Sequence, residues 1–275
     1  MSGKLKPFVR ILLLAVAGFT LVNCASAPIN DPEALVEFKK INDPAEPTNR
    51  FIFRVNQGID TVIIKPITSL YRFIFPSPIR DGIRNFTNNI KTPIILVNDI
   101  LQGEPGRAGT TFTRFLINTT VGVGGLRDQA SEWGFKSHSE DFGQTLAVWG
   151  VGEGPYIVLP LLGPTNPRDA IGRLADGFID PITWWANNNG QEWVPITRTA
   201  ISGIATRDQL WDVIEDLEKS SIDFYAAIRN LYRQRRNQDI SNGGNAKNNK
   251  TPNFSGDFRL ASPEGYQQKS EALLK

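Results

Sequence analysis

One histidine and its acidic neighbours are the side chains that most invite a catalytic interpretation. His138 lies close to Glu140 and Asp141, and such a group can act as a general base or bind a metal. The same carboxylates are typical of the first turn of a helix, where they cap N–H groups and complement the helix dipole. The sequence contains no G-x-S-x-G elbow, no H-E-x-x-H pair and no P-loop. It therefore disfavours an enzyme such as a phospholipase, and we expect no catalytic residue, no metal and no cofactor.

Cys24 is the chain's single cysteine and the residue with the clearest chemical role. Residues 21–24, LVNC, resemble a bacterial lipobox, in which the new amino-terminal cysteine receives a diacylglycerol and a third acyl chain. Asn23 departs from the usual Gly or Ala. Cleavage after Ala27 is the alternative, but Pro28 would then follow the cut and obstruct the peptidase. We predict cleavage between Asn23 and Cys24 and a stable anchor of three acyl chains on Cys24.

The amino terminus carries the apparent basicity of the chain. Three basic residues precede the apolar run 11–22, which is too short to span a bilayer and is typical of a secretory signal. Without residues 1–23 the chain retains 27 basic and 28 acidic residues, a net charge of −1. A nucleic-acid partner, which would need a basic stripe, is therefore not expected. Ala25 replaces the Asp that resembles an inner-membrane retention signal, which favours the outer membrane.

Residues 137–169 join two predicted helices. Ser137 and Glu140 have the spacing of a capping box, and an apolar stripe then recurs at four and three residues. The first helix should therefore end near Gly150. Asn166, followed by proline, supplies the cap and the first-turn proline of the second helix.

A glycine linker and an apolar run lie between these helices. Gly150, Gly152 and Gly154 can absorb the rotation of a hinge, although glycine at a helix end is more often only a C-cap. Residues 156–162 are apolar, and residues 156–159 have an extended pattern. We expect a protein core or lipid to cover this run.

The rest of the chain has the period of helices. A capping residue followed by proline predicts a helix start at four places: Asp31-Pro32, Ser77-Pro78, Thr92-Pro93 and Asn166-Pro167. Apolar residues with helical spacing predict further helices over residues 51–63, 93–101, 107–119, 196–205, 209–219 and 222–236, with Pro66 bending or breaking the first run. No convincing strand alternation occurs beyond residues 156–159. The sequence predicts an all-α fold.

Four stretches resemble the MlaA (VacJ) family of outer-membrane phospholipid-transport lipoproteins. They are INDPAEPTNRFIFRVNQGID, VNDILQGEP, RFLINTTVGVGGLRDQASEWG and EDFGQTLAVWGVGEGPYIVLPLLGPTNPRD, in the family's order over about residues 41–236. The resemblance implies amphipathic helices that form a ring-like single domain in one membrane leaflet around a polar passage. It also implies that the protein removes phospholipids from the outer leaflet of the outer membrane and passes them to a periplasmic carrier.

The resemblance further implies partners and a lipid path. The partners would be a trimeric porin and a soluble periplasmic phospholipid carrier protein linked to an inner-membrane ABC transporter. Gln144 and Arg168 are candidate contacts for the lipid path or head group, because Arg168 in a first helical turn can bind phosphate together with free N–H groups. An ion pair with Asp169, or a solvated surface position, is the alternative for Arg168.

Two alternatives concern the surroundings of the helices. Their aromatic residues can form the core of a soluble bundle or lie at a membrane interface: Phe51, Phe53, Tyr71, Phe73, Phe75, Trp184 and Trp185. A soluble bundle would make the protein a lipid-anchored periplasmic scaffold or binding module without a lipid channel.

The chain is predicted to divide into four parts. These are a lipoprotein signal at residues 1–23, a lipidated linker with a short helix at 24–46, a helical domain at 47–236 and a tail at 237–275. The tail is rich in Asn, Gly, Ser, Gln and Lys, which offer too little apolar surface to offset ordering entropy. We therefore expect it to be disordered.

Overall fold

The computed structural model describes residues 41–242 and, before them, positions 28, 31, 33, 35 and 38. Asn23, Cys24 and residues 243–275, with the predictions made for them, lie outside the described residues. The helices are α1 (Glu46–Ile59), α2 (Lys65–Ile74), α3 (Ser77–Leu101), α4 (Pro105–Thr120), α5 (Gln129–Glu132), α6 (Phe142–Val148), α7 (Pro167–Ile179), α8 (Pro181–Asn188), α9 (Trp193–Gln209), α10 (Trp211–Ser220) and α11 (Phe224–Ile240). Two short strands, β1 (Ile157–Leu159) and β2 (Gly163–Thr165), lie between α6 and α7. The predicted helical fold class is confirmed, and the ring-like arrangement stays a prediction.

The chain divides into two units after Ile240, and every helix and strand above belongs to the first. The last helix ends at Ile240 and so includes the first residues of the tail that was predicted to begin at residue 237. Among the described residues, no helix combines the length and the apolar character needed to cross a membrane.

Within residues 137–169, two predicted helix ends are confirmed, the end of α6 and the start of α7. Both predictions depended on signals from neighbouring residues. The Asn166 side chain caps α7, because its Oδ1 accepts the N–H of Asp169 at 2.8 Å. Gly150 follows the end of α6 with a φ of 90°, and its N–H bonds the carbonyl of Ala147 at 2.9 Å. A positive φ at this position is the usual reason for glycine after a helix.

The predicted start of α6 is wrong by several residues. The cap is Asp141, whose Oδ1 accepts the N–H of Gln144 at 2.9 Å, so Ser137 and Glu140 do not form a capping box. Glu140 instead accepts hydrogen bonds from Arg107 and Gln102, which are distant in the sequence. Because these partners are non-local, the local spacing was misleading.

Proline has a different effect at each position. Pro93 lies inside α3 and does not start a helix, and Ser77 is the first residue of α3 and not its cap. The hydrogen bond that Pro93 cannot make is tolerated because α3 packs along α4 and α9. Near Pro66 the helical backbone continues from α1 to α2 through a π-helical turn, Asp60–Ile64. Pro181, capped by Asp180, starts a helix that the sequence analysis missed.

The strands form an antiparallel hairpin that packs against α1. Residue 157 pairs with 165, 158 with 164 and 159 with 163, so the predicted extended segment is confirmed and its partner is new. Tyr156 and Val158 join Ile52 of α1 and Tyr225 of α11 in a small apolar core. The hairpin thus connects the first and last helices.

Candidate functional site

Polar side chains occupy most of the buried positions in the described part of the chain, while large apolar side chains face outward. Phe73 is 88% exposed and Phe178 is 80% exposed, and most of the other helices also carry exposed large apolar residues. Monomeric soluble proteins rarely expose such extensive apolar surface. The tryptophans Trp184 and Trp185, which the sequence analysis considered for a soluble core, lie on this exposed surface.

A buried charge network joins α6, α7 and α11. The guanidinium of Arg236 donates to both oxygens of Asp141, at 2.6 and 2.7 Å, and to Asp169 at 2.9 Å. Burial alone would lower the pKa of Arg236, but its bonds to Asp141 and Asp169 raise it above its usual range. Burial also favours neutral carboxyls, yet bonds from Arg236 to Asp141 and from Tyr232 to Asp169 lower both carboxyl pKa values. The network is therefore ionised at neutral pH.

Asp176 on α7 is a half-buried acid, close to the same helix crossing. Its carboxylate accepts the Asn98 side-chain amide at 3.1 Å and the backbone N–H of Phe142 at 3.1 Å. Burial raises its pKa to about 6, more than these hydrogen bonds lower it. Asp176 is therefore poised to change charge slightly below neutral pH.

Another buried carboxylate, Asp43, ties the start of the domain to α11. It accepts hydrogen bonds from the Tyr225 hydroxyl, from Arg229 at 2.8 Å and from the Asn49 amide at 2.8 Å. Because all its neighbours are donors, the charge is compensated within the fold. Asp43 is therefore held as a structural contact between the start of the domain and α11.

Arg168 lies inside the protein and is only 7% exposed. Its Nε donates to Asp169 at 3.0 Å, so the ion pair considered as an alternative is present. Its Nη1 lies 3.5 Å from the carbonyl of Val151, and its Nη2 is buried without a hydrogen-bond partner among the described residues. The glycine linker, defined as residues 150–155, therefore covers this guanidinium. Phosphate binding by Arg168 stays a prediction.

Gln144 is also enclosed, with 1% of its surface exposed. Its side-chain amide donates to the carbonyl of Ser139 and to Asp141 Oδ2, each at 3.3 Å. In this structure Gln144 therefore belongs to the same polar interior as Asp141. Its contact with a lipid stays a prediction.

The three linker glycines have different conformations. Gly150 and Gly154 have φ values of 90° and 70°, whereas Gly152 is outside the positive-φ region. A Cβ atom at Gly152 would meet nothing within 4 Å, and one at Gly154 would approach the ring of Pro167 at 3.1 Å. Gly150 and Gly154 are thus required by the observed backbone, and a hinge motion at Gly152 stays a prediction.

His138 takes part in a cluster with ligand-type atoms. One atom each from Asp99, His138 and Glu140 lies within 4.8 Å of the others, the spacing of a possible metal site. The same carboxylates face the guanidinium of Arg107, which bonds Glu140 and lies 3.7 Å from Asp99. His138 Nε2 is 2.9 Å from Asp99 Oδ1. Since Arg107 already compensates the carboxylates, the geometry favours a structural ion cluster.

The charged residues that anchor this interior were not predicted from the sequence. Arg229 and Arg236 lie seven residues apart on α11, so they share one face of the helix. That spacing was a usable signal for a buried basic stripe. Their partners Asp43, Asp141 and Asp169 lie far away in the sequence, and no local pattern links them.

Comparison with known proteins gives consistent matches. A family model described as MlaA lipoprotein matches residues 41–239. The chain is 36% identical over 250 residues to the intermembrane phospholipid transport system lipoprotein MlaA of Escherichia coli (strain K12), which covers 89% of this chain and 93% of that protein. It is 31% identical over 244 residues to the protein of the same name from Haemophilus influenzae, covering 87% and 92% of the two chains.

A solved structure is also similar. It comes from work on the structural basis for maintenance of bacterial outer membrane lipid asymmetry. The TM-score is 0.64 at 36% identity, and the match covers 72% of this chain and 98% of that one. The likeness therefore extends over nearly all of the solved chain.

Proposed function

Because this chain belongs to the MlaA lipoprotein family, we propose that it maintains outer-membrane lipid asymmetry by intermembrane phospholipid transport. It removes phospholipids from the outer leaflet and passes them to a periplasmic carrier. The observation that best supports this function is the arrangement of the side chains, with polar ones inside and large apolar ones outside. A phospholipid needs this combination, because its head group requires polar contacts while its acyl chains remain in lipid.

The helices lie within one leaflet, in a ring-like arrangement around a polar passage. Support comes from exposed apolar residues on consecutive helices, among them Phe73 on α2, Phe178 on α7 and Trp184 on α8. Interfacial helices bury such a face among the lipid chains, and tryptophan is enriched at the head-group level. The surface would thus be covered by lipid.

The protein is held on the periplasmic side of the outer membrane by a lipid anchor on Cys24, formed after cleavage behind Asn23. Support comes from the lipobox-like sequence and the family's description as a lipoprotein. Its partners are a trimeric porin and a soluble carrier linked to an inner-membrane ABC transporter, as the sequence resemblance implies. The function requires no catalysis, consistent with a His138 whose neighbours are held by Arg107.

Head-group contact involves the enclosed side chains Arg168 and Gln144. Arg168 keeps a cation beneath the linker, and its Nη2 lacks a partner in the observed state. Displacement of Val151 would expose that guanidinium, which binds phosphate well. Gly150 and Gly154 supply the backbone conformations at the two ends of the linker.

Complementation tests the transport function. A bacterial strain that lacks its own copy of the gene is supplied with the wild-type chain or with Cys24→Ala, and surface phospholipid is measured by labelling of intact cells. We expect the wild type to lower surface phospholipid and Cys24→Ala to do so poorly at matched abundance, because the anchor is lost. A correctly localised wild type that leaves surface phospholipid unchanged would contradict transport.

Detergent partitioning separates embedding from a merely tethered scaffold. Cys24→Ala, combined with the signal of a soluble periplasmic protein, produces a chain without acyl groups. We expect this chain to enter the detergent phase because its exposed apolar faces need cover. Recovery in the aqueous phase would refute embedding and favour the scaffold alternative.

A further inference from the structure

Three asparagines bind the backbone of the hairpin and of the residues before it. Asn42 Nδ2 donates to the carbonyl of Gly154 at 2.8 Å, and the Asn42 carbonyl accepts the N–H of Tyr156 at 2.9 Å. Asn49 Nδ2 donates to the carbonyl of Tyr156 at 3.0 Å, and its Oδ1 accepts the N–H of Val158 at 2.9 Å.

Asn56 repeats the pattern one step further along. Its Nδ2 donates to the carbonyl of Leu159 at 2.9 Å, and its Oδ1 accepts the N–H of Leu161 at 2.8 Å. An amide side chain has the donor and the acceptor of a peptide group. Asn49 therefore substitutes for a neighbouring strand along β1, and Asn56 does the same where β1 passes into the turn.

The spacing places the two side chains on one face of the helix. Asn49 and Asn56 are seven residues apart, close to two turns and about 10.5 Å along α1. Their contacts reach Val158 within β1 and Leu161 in the turn that follows β1. Two successive turns of one helix face therefore hold both the strand and the turn.

One end of this arrangement is fixed and the other is exposed. Asn49 is buried and held by Asp43, which also binds Tyr225 and Arg229 of α11. The far end is the hairpin turn, where Leu161 is 71% exposed and has a φ of 64°. A two-stranded hairpin is marginally stable by itself, so its turn depends on the contacts from α1.

We infer that Asn42, Asn49 and Asn56 are positioning residues, together called the amide clamp, which holds the hairpin turn against α1 and thereby sets the rate of lipid transport. This inference rests on the proposed transport function. The clamp holds the end of the glycine linker, at Gly154, and the hairpin as far as Leu161, so the linker can move the hairpin only when clamp bonds open. The hydrogen bonds of Asn56 are nearest the exposed turn, and they open first.

The test compares Asn56→Leu with Asn88→Leu in the full-length chain. Asn88 is an exposed residue on α3 whose side chain makes no hydrogen bond among the described residues. Asn88→Leu therefore makes the same change of residue type but removes no hydrogen bond to the hairpin. Asn56→Leu should accelerate amide hydrogen exchange in residues 157–162 on the order of tenfold, as expected for loss of a side-chain partner. Exchange in α11 should not change, and Asn88→Leu should behave as wild type.

The same variants are measured in cells for surface phospholipid at matched abundance. We expect Asn56→Leu to shift the level and Asn88→Leu not to, with Asn56→Asp intermediate because it keeps the acceptor for Leu161. Unchanged exchange in Asn56→Leu would overturn the clamp, and faster exchange with unchanged surface phospholipid would overturn its role in transport. Failure of the wild type to lower surface phospholipid would instead refute the proposed function.

Discussion

The crossing of α6 and α7 has very little room for change. A Cβ atom built on Gly172 would lie 2.3 Å from the backbone nitrogen of Gly143 and 2.5 Å from its Cα. Ordinary non-bonded separations are about 3.5–4.0 Å, so Gly172→Ala would force the two backbones apart by about 1 Å. No side-chain rotation can relieve this overlap, because both nearest atoms are backbone.

The cost of this separation has two sources. Overpacking of a buried contact destabilises by about 1–3 kcal/mol, and sometimes by more. The same crossing holds the bonds from Arg236 to Asp141 and Asp169, and each hydrogen bond to a charged group contributes about 1.5–3 kcal/mol. If even one of these hydrogen bonds is weakened, Gly172→Ala should lower the free energy of unfolding by about 3–4 kcal/mol. That is a large fraction of a typical unfolding free energy of about 5–15 kcal/mol.

Gly177→Ala on the same helix is the matched control. A Cβ atom there would meet nothing within 4 Å, and the residue has no positive φ. We expect a gain of up to about 1 kcal/mol from helix propensity. Thermal unfolding in detergent, followed by circular dichroism, should place Gly172→Ala on the order of 10 °C below wild type and Gly177→Ala at or above it. Melting of the two variants within about 2 °C of each other would refute the tight crossing, given about 2–4 °C per kcal/mol.

Two further predictions concern buried charge and the linker. Burial raises the pKa of Asp176 from 3.8, its value in the unfolded chain, to about 6 in the folded chain. The stability that the protonated carboxyl contributes is therefore fully present below pH 3.8 and is lost as the pH rises through 6. Asp176→Asn should remove this pH dependence, which solvent screening of the partly exposed carboxyl keeps below the about 3 kcal/mol of the full shift, and equal pH slopes in denaturant unfolding of the two proteins would refute it. Gly152→Ala should leave the thermal midpoint unchanged, whereas Gly150→Ala should lower it because alanine at positive φ costs about 1 kcal/mol or more, and equal midpoints would show that the linker relaxes.

Features set by neighbouring residues were predictable from the sequence. Asn166 and Pro167 start α7 as expected, because the cap bond spans three residues and proline fixes its own φ. Gly150 ends α6 for a similarly local reason. In contrast, Pro93 was expected to begin a helix and lies within α3, since tertiary packing outweighed the local preference.

The charged interior depends on partners that sequence separation conceals. Glu140 seemed to be a capping residue, yet its partner Arg107 lies 33 positions away. Arg236 and Asp141 are separated by 95 positions. Single-sequence periodicity records which face of a helix is polar but contains no information on which polar face it meets. The candidate residues Arg168 and Gln144 were therefore located correctly on their helices while their enclosure was not foreseen.

The orientation of the amphipathic helices follows from how their polar faces are paired. The apolar stripe of α2 includes Ile67, Leu70 and Phe73, all exposed, whereas Thr68 on the opposite side is fully buried. Helical periodicity predicts both stripes equally well for a soluble or a lipid-covered protein, because it fixes their separation and not their surroundings. The polar faces are paired inside the fold: Arg207 binds Asp60 at 2.9 Å, between α9 and the π-helical turn. A water-exposed helix face needs no such complement, since water solvates each charge separately. Matched charges on the inner faces, with large apolar side chains on the outer faces, support the proposed polar path through lipid.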